Sequence, residues 1–137
     1  MKLDIGCGIR KKEGFIGIDK HKFKGVNYQI NLENDKLPFK DNSIDGVYSY
    51  HCLEHISNFD EVMTEIYRVL KKGCIFELYV PYFAYPLVNT PYHKIYFNFR
   101  SFNHFEKNGN TMPTKHKFKV IEKKMIFKFW FFFWIYF

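Results

Sequence analysis

Short apolar segments alternate with polar ones over the first 81 residues, and this alternation predicts five strands. The segments have four to eight residues and are bounded by turn-forming residues, as strands buried in a sheet usually are. They are residues 2–6, 14–19, 26–32, 47–50 and 74–81.

A helix is predicted between the fourth and fifth of these strands. Ser57 and Asp60 fit a capping box at its start, and two lysines and a glycine at 71–73 predict its end. A helix between two strands indicates an α/β fold with parallel pairing. Its apolar positions recur at helical spacing and are Phe59, Val62, Met63, Ile66, Val69 and Leu70.

Composition limits the class of protein. A length of 137 residues with 47% hydrophobic residues suits one domain, predicted over 1–127 and followed by a tail at 128–137. The segment 1–77 carries 12 basic and 12 acidic side chains, whereas 78–137 carries 9 and 2. Three cysteines without C-x-x-C spacing, and a start unlike a signal peptide, lead us to expect a cytoplasmic protein with reduced thiols.

Residues 51–55 read HCLEH, which matches the H-x-x-E-H pattern of one class of zinc peptidase. Such a peptidase needs both histidines inside a helix, but the helix signal begins later, at Ser57. The segment is therefore predicted in the loop that leaves the fourth strand, where open α/β sheets bind ligands. We expect no metal, and a zinc hydrolase stays an alternative.

Four segments resemble, in order, the signature segments of class I S-adenosylmethionine-dependent methyltransferases, of the small-molecule type with an LEH segment. They are LDIGCG at 3–8, GIDK at 17–20, residues 37–56 and residues 61–73. The resemblance implies a Rossmann-like open, mostly parallel α/β sheet, compact or incomplete at its C-terminus. It also implies S-adenosyl-L-methionine as cofactor and a methyltransferase activity of class EC 2.1.1.-.

The resemblance implies a cofactor site at the strand ends. Glycines in the first loop let the backbone approach the methionine portion, Asp19 would accept from both ribose hydroxyls, and Asn31 would lie beside the adenine. Only 11 residues separate Gly8 from Asp19, so the first crossover has room for little more than one helical turn. The implied cofactor-binding residues are Asp4, Gly6, Cys7, Gly8, Asp19, Lys20, Asn31, Leu32, Tyr50 and His51.

Histidines are the candidates for removing a proton from the methyl acceptor. His51 is the first candidate, followed by His55 and His93. The segment 91–106 interleaves basic and aromatic residues, among them Arg100 and His104, and would line a pocket for an acidic or aromatic small-molecule acceptor. The same interleaving suits single-stranded nucleic acid, so a noncatalytic, methyltransferase-like binding module stays a second alternative.

The segment 127–137 is aromatic except for Lys128 and Ile135. It is too short to span a bilayer, which takes about 20 residues. A buried strand, an anchor for a membrane surface or partner, and a fragment of a longer protein are three explanations. We expect the tail to lie outside the chain's own fold and to promote association.

Overall fold

The computed structural model describes residues 1–84, 88–105, 118–128 and 132–136. Its strands form one seven-stranded sheet with the order β3-β2-β1-β4-β5-β7-β6. The elements are β1 Lys2–Ile5, β2 Ile16–Asp19, β3 Val26–Gln29, β4 Ile44–Tyr50, α1 Phe59–Val69, β5 Leu70–Pro81, β6 Lys124–Lys128 and β7 Phe132–Tyr136.

The first five strands are parallel, as the sequence predicts. β1 lies at their centre and pairs with β2 on one side and with β4 on the other. The chain therefore adds strands outward from β1 in one direction and then, at β4, in the other. This change of direction opens a crevice at the carboxyl ends of β1 and β4, where sheets of this kind bind ligands.

One face of the parallel sheet forms the core with α1. We call this the core face; the register places its side chains in line across neighbouring strands. The helix buries one stripe against it, because its apolar residues recur at helical spacing. The stripe consists of Val62, Met63, Ile66 and Val69. The core face includes Leu3, Ile5, Ile18, Val47 and Leu78, all at most 2% exposed.

The two ends of α1 differ from the prediction. The helix begins after Asn58, whose Nδ2 donates to Glu61 Oε2 at 2.9 Å, and the Ser57–Asp60 capping box does not form. The last turn stops at Val69 because backbone N–H groups of the loop at 42–43 donate to its final carbonyls. Gly73, expected just after the helix, therefore lies inside β5 with a φ of +83°.

A short loop replaces a helix in the first crossover. Residues 6–15 contain turns and no helix, in agreement with the short spacing. Lys12 anchors this loop: its backbone N–H donates to Asp4 Oδ2 at 2.7 Å. Its Nζ donates to Glu77 Oε2 at 2.9 Å and lies 3.7 Å from the centre of the Tyr48 ring. This loop thus lies against the face of the sheet opposite α1.

We expected the C-terminal tail to lie outside the chain's own fold, and this is wrong for the backbone of residues 132–136. Residues 132–136 form β7, which pairs antiparallel with β5 and with β6. Without β7, β5 would present an unpaired row of backbone groups, and the ladder satisfies them. The sixth strand, predicted within 118–127, forms at 124–128, and the domain boundary at 127 stays a prediction. No helix among the described residues has the length and hydropathy needed to cross a membrane.

Candidate functional site

A cavity of about 170 Å³ lies at the carboxyl ends of β1, β2 and β4. The loops that leave these strands build its walls, and the loop after β3 closes one side. Its lining residues are Gly6, Ile18, Asp19, Lys20, His21, Phe23, Ile30, Asn31, Leu32, Glu33, His51, Cys52, His55 and Ile56.

The glycines after β1 determine how closely this loop approaches the rest of the site. Gly6 has a φ of +68°, and a Cβ there would overlap the side chain of Cys52, which follows β4. Gly8 has a φ of +53°, and a Cβ there would project into open space. Close packing therefore requires Gly6, whereas Gly8 leaves room beside the backbone for a ligand.

Asp4 is buried below this loop and does not line the cavity. Burial raises the pKa of its carboxyl, and the hydrogen bond from the Lys12 backbone N–H opposes that shift. The contact that the structure shows for Asp4 is therefore one that holds the first loop.

Asp19 ends β2 and ties two loops together. Its Oδ2 accepts from the Gly8 N–H at 2.9 Å, and its Oδ1 accepts from the His21 N–H at 2.8 Å. Each carboxylate oxygen has a second lone pair. Asp19 thus holds the first loop while keeping acceptor capacity for hydroxyl groups of a ligand.

The loop after β3 closes the cavity on one side. Asn31 Oδ1 accepts from the Glu33 N–H at 3.2 Å, which fixes its side chain in a turn. Glu33 Oε1 accepts from Lys94 Nζ at 2.8 Å. The hydrogen bond from Lys94, together with those from Ser57, lowers the pKa of Glu33 to about 2.

His51 follows β4 in a left-handed conformation, with a φ of +54°. Such a backbone is uncommon outside glycine and is concentrated at functional sites. The His51 N–H donates to the Tyr79 carbonyl at 3.0 Å, and Nδ1 lies 3.0 Å from Glu54 Oε1. The strand end and the buried Glu54 together fix the position of this imidazole.

His55 and His93 meet beside the cavity. They are 38 positions apart in sequence, yet their ring centres are 4.8 Å apart. His55 lines the cavity, and its Nδ1 lies 3.0 Å from the Tyr92 carbonyl oxygen. Arg100 is exposed in a turn, and the side chain of His104 lies outside the described residues.

The predicted residues fall into two groups. Those that line the cavity are Gly6, Asp19, Lys20, Asn31, Leu32, His51 and His55. Those that lie outside its lining are Asp4, Cys7, Gly8, Tyr50 and His93. The roles of all of them stay predictions.

Seven lining residues were missed by the sequence reasoning. Each lies within three positions of a residue that was predicted, so the strand ends themselves were the available signal. The missed residues are Ile18, His21, Phe23, Ile30, Glu33, Cys52 and Ile56.

Comparison with known sequences points to one family. A family model described as "Methyltransferase domain" matches residues 7–78, just over half of the chain. A sterol 4-C-methyltransferase of Caenorhabditis elegans is 33% identical over an alignment covering 56% of this chain and 30% of the relative. A 24-methylenesterol C-methyltransferase of Arabidopsis thaliana is 32% identical, with 56% and 28% covered. The matched segment is thus less than a third of either relative.

Comparison with solved structures gives the same fold. A SAM-dependent methyltransferase from Archaeoglobus fulgidus superposes with a TM-score of 0.56 at 26% identity, covering 69% of this chain and 52% of the other. A SAM-dependent methyltransferase from Thermotoga maritima gives 0.52 at 23% identity, covering 63% and 46%. The second likeness concerns the fold alone.

Proposed function

Because this chain belongs to the class I S-adenosylmethionine-dependent methyltransferase domain family, we propose that it binds S-adenosyl-L-methionine and transfers the methyl group to a small-molecule acceptor. S-adenosyl-L-methionine is the cofactor of this family and supplies an electrophilic methyl group on sulfur. The matched segment is only part of the length of the sterol methyltransferases, so activity and acceptor are proposals.

One observation carries the proposal: residues from three strand ends line one cavity at the switch in strand order. Gly6, Asp19 and His51 follow or end β1, β2 and β4. These are positions at which the family resemblance implies cofactor contacts. Binding where the strand order reverses is the general rule for open α/β sheets.

The residues present fit the cofactor in part. Gly8 leaves open space beside its backbone, and both Asp19 oxygens have acceptor capacity left for ribose hydroxyls. The cavity of about 170 Å³ is smaller than the ~300 Å³ at which ligand cavities usually begin. We therefore expect part of the bound cofactor to stay exposed to solvent and the affinity to be modest.

His51 is the residue we assign to proton removal from the acceptor. A carboxylate at 3.0 Å from Nδ1 favours the tautomer that donates from Nδ1 and has its lone pair on Nε2. Holding a histidine this way is the part that the carboxylate plays in a catalytic triad. General-base catalysis of this kind typically contributes about 10²–10⁴-fold to the rate.

Isothermal calorimetry with S-adenosyl-L-methionine and its demethylated product tests the cofactor proposal. We expect both to bind, and Asp19→Asn to weaken binding by roughly tenfold or more, because hydrogen bonds to a charged group contribute about 1.5–3 kcal/mol. Asp60→Asn makes the same chemical change at the exposed start of α1 and should leave affinity unchanged. The absence of heat with either ligand at millimolar concentration would contradict the proposal.

A further inference from the structure

Three side chains of types that can bind a metal come together just after β4. One ligand atom from each of Glu54, His55 and His93 lies within 4.8 Å of the other two. The backbone carbonyl of Glu54 accepts from the N–H groups of Lys94 at 2.8 Å and Ile95 at 3.1 Å. These two hydrogen bonds hold the segment that carries His93 against the 3-10 turn at Leu53–His55.

Glu54 is a completely buried carboxylate, and only one of its two oxygens has a hydrogen-bond partner among the described residues. Its side chain is 0% exposed, and Oε1 is bonded to His51. Among the described residues Oε2 has no hydrogen-bond partner, although it is buried. Burial of such a group is unfavourable unless it is paired or coordinates a metal.

Both histidines have a ring nitrogen that can offer a lone pair to a metal. A carbonyl oxygen only accepts, so the 3.0 Å contact with the Tyr92 carbonyl puts the hydrogen of His55 on Nδ1 and its lone pair on Nε2. Metal-binding histidines are commonly held in this way by a backbone carbonyl. Nδ1 of His93 is buried without a hydrogen-bond partner among the described residues.

We propose that Glu54, His55 and His93 bind a zinc ion with three protein ligands and one open position. Two histidines and one glutamate are a ligand set of catalytic zinc sites. In a tetrahedral site with zinc–ligand distances of about 2.0–2.2 Å, two ligand atoms lie about 3.3–3.6 Å apart, so a pair at the 4.8 Å limit must approach by roughly 1.2–1.5 Å. His93 is only half-buried, so rotation of its side chain can supply this movement.

This site differs from the one suggested by the HCLEH pattern. That pattern would use His51 and His55 as ligands, whereas His51 contacts the other oxygen of Glu54 and would orient the carboxylate. The third ligand comes from a distant segment. The proposal departs from the expectation of no metal, and it does not depend on methyl transfer.

Zinc binding is tested on the full chain without a histidine tag, by competition with a chromophoric chelator and by elemental analysis. We expect one zinc per chain. His93→Ala and Glu54→Gln should each weaken binding at least tenfold, with folding checked by circular dichroism. His21→Ala is the matched control, because this exposed histidine borders the same cavity without belonging to the cluster.

Cobalt(II) distinguishes this site from binding by cysteines. Cys52 lines the same cavity and Cys7 lies in the first loop, and both are free thiols. We expect the cobalt spectrum to have no thiolate-to-metal charge-transfer band. Absence of zinc binding at millimolar concentration, unchanged binding in both His93→Ala and Glu54→Gln, or a thiolate band would each overturn the proposal.

Discussion

The two faces of the parallel sheet are covered in different ways. The core face is closed by α1, and most of its central side chains are aliphatic and at most 2% exposed. On the opposite face, which we call the tyrosine face, Tyr50 is 41% exposed, Tyr48, Glu77 and Tyr79 are half-buried, and Asp4 is buried. The tyrosine face consists of Asp4, Tyr48, Tyr50, Glu77 and Tyr79, placed side by side by the register.

The core face should therefore determine most of the stability of the fold, and the tyrosine face the shape of the candidate site. The hydrophobic effect grows with the apolar area removed from water, so the core face should supply most of the stability. The tyrosine face is instead held by hydrogen bonds and ring contacts, several of them made by Lys12. Lys12 belongs to the loop that stands where a crossover helix is usual. That loop also holds Asp4 and the glycines of the candidate site.

The largest expected effect comes from the core face. Leu78 is 2% exposed, and Leu78→Ala should lower the free energy of unfolding by about 2–5 kcal/mol, because it removes buried methyl groups and leaves a cavity. Urea denaturation followed by circular dichroism measures this change. Ile75→Ala is the control on the same strand: Ile75 is 58% exposed on the tyrosine face, and we expect a change within about 0.5 kcal/mol. Equal losses would contradict the comparison.

The sequence predicted the core face better than the ends of its elements. Apolar spacing located α1 and the five parallel strands, since burial against a sheet leaves that pattern. The end of α1 was missed because it depends on hydrogen bonds from Asn42 and Ser43, which lie about 26 positions earlier. β7 was missed because an aromatic segment without alternation resembles a surface anchor as much as a strand.

The candidate site also has one part that could be predicted from the sequence and one part that could not. The family resemblance put Gly6, Asp19 and His51 at the ends of strands, and their meeting at one cavity could be predicted because parallel strands bring their carboxyl ends to one edge. The proximity of His93 to Glu54 and His55 could not, although His93 was itself a candidate base. It depends on the backbone bonds from residues 94 and 95 to the Glu54 carbonyl, which no local pattern encodes.

A smaller loss in the free energy of unfolding is expected when the loop on the tyrosine face is changed. Lys12→Met removes an ion pair with Glu77 and a contact with the Tyr48 ring. Partly exposed interactions of these kinds contribute about 0.2–1 kcal/mol each, so we expect a loss of roughly 1 kcal/mol in urea denaturation. The Lys12 backbone N–H stays bonded to Asp4, so cofactor affinity should change little.

Lys22→Met serves as the matched control, since Lys22 is exposed in the loop after β2. A double-mutant cycle with Glu77→Gln isolates the ion pair. A loss for Lys12→Met as large as that for Leu78→Ala would show that the loop, and not burial alone, holds the sheet together.

The smallest effect concerns the ionisation of Tyr48. Burial, with the carboxylates of Glu77 and Asp4 nearby, raises the pKa of this phenol to about 12. The folded protein thus holds the proton more tightly than the unfolded chain, whose tyrosines have a pKa of about 10. The stabilisation is complete below pH 10 and is lost as the pH rises towards 12. We expect this stabilisation to be under 1 kcal/mol, since the ring is only half-buried.

Ultraviolet titration of phenolate formation measures the pKa of Tyr48, and urea denaturation of the wild type against Tyr48→Phe over this pH range measures the stabilisation. Tyr92→Phe is the control, because Tyr92 is 75% exposed. If Tyr48 and Tyr92 titrate together, the tyrosine face is open to water and the loop at Lys12 does not cover it.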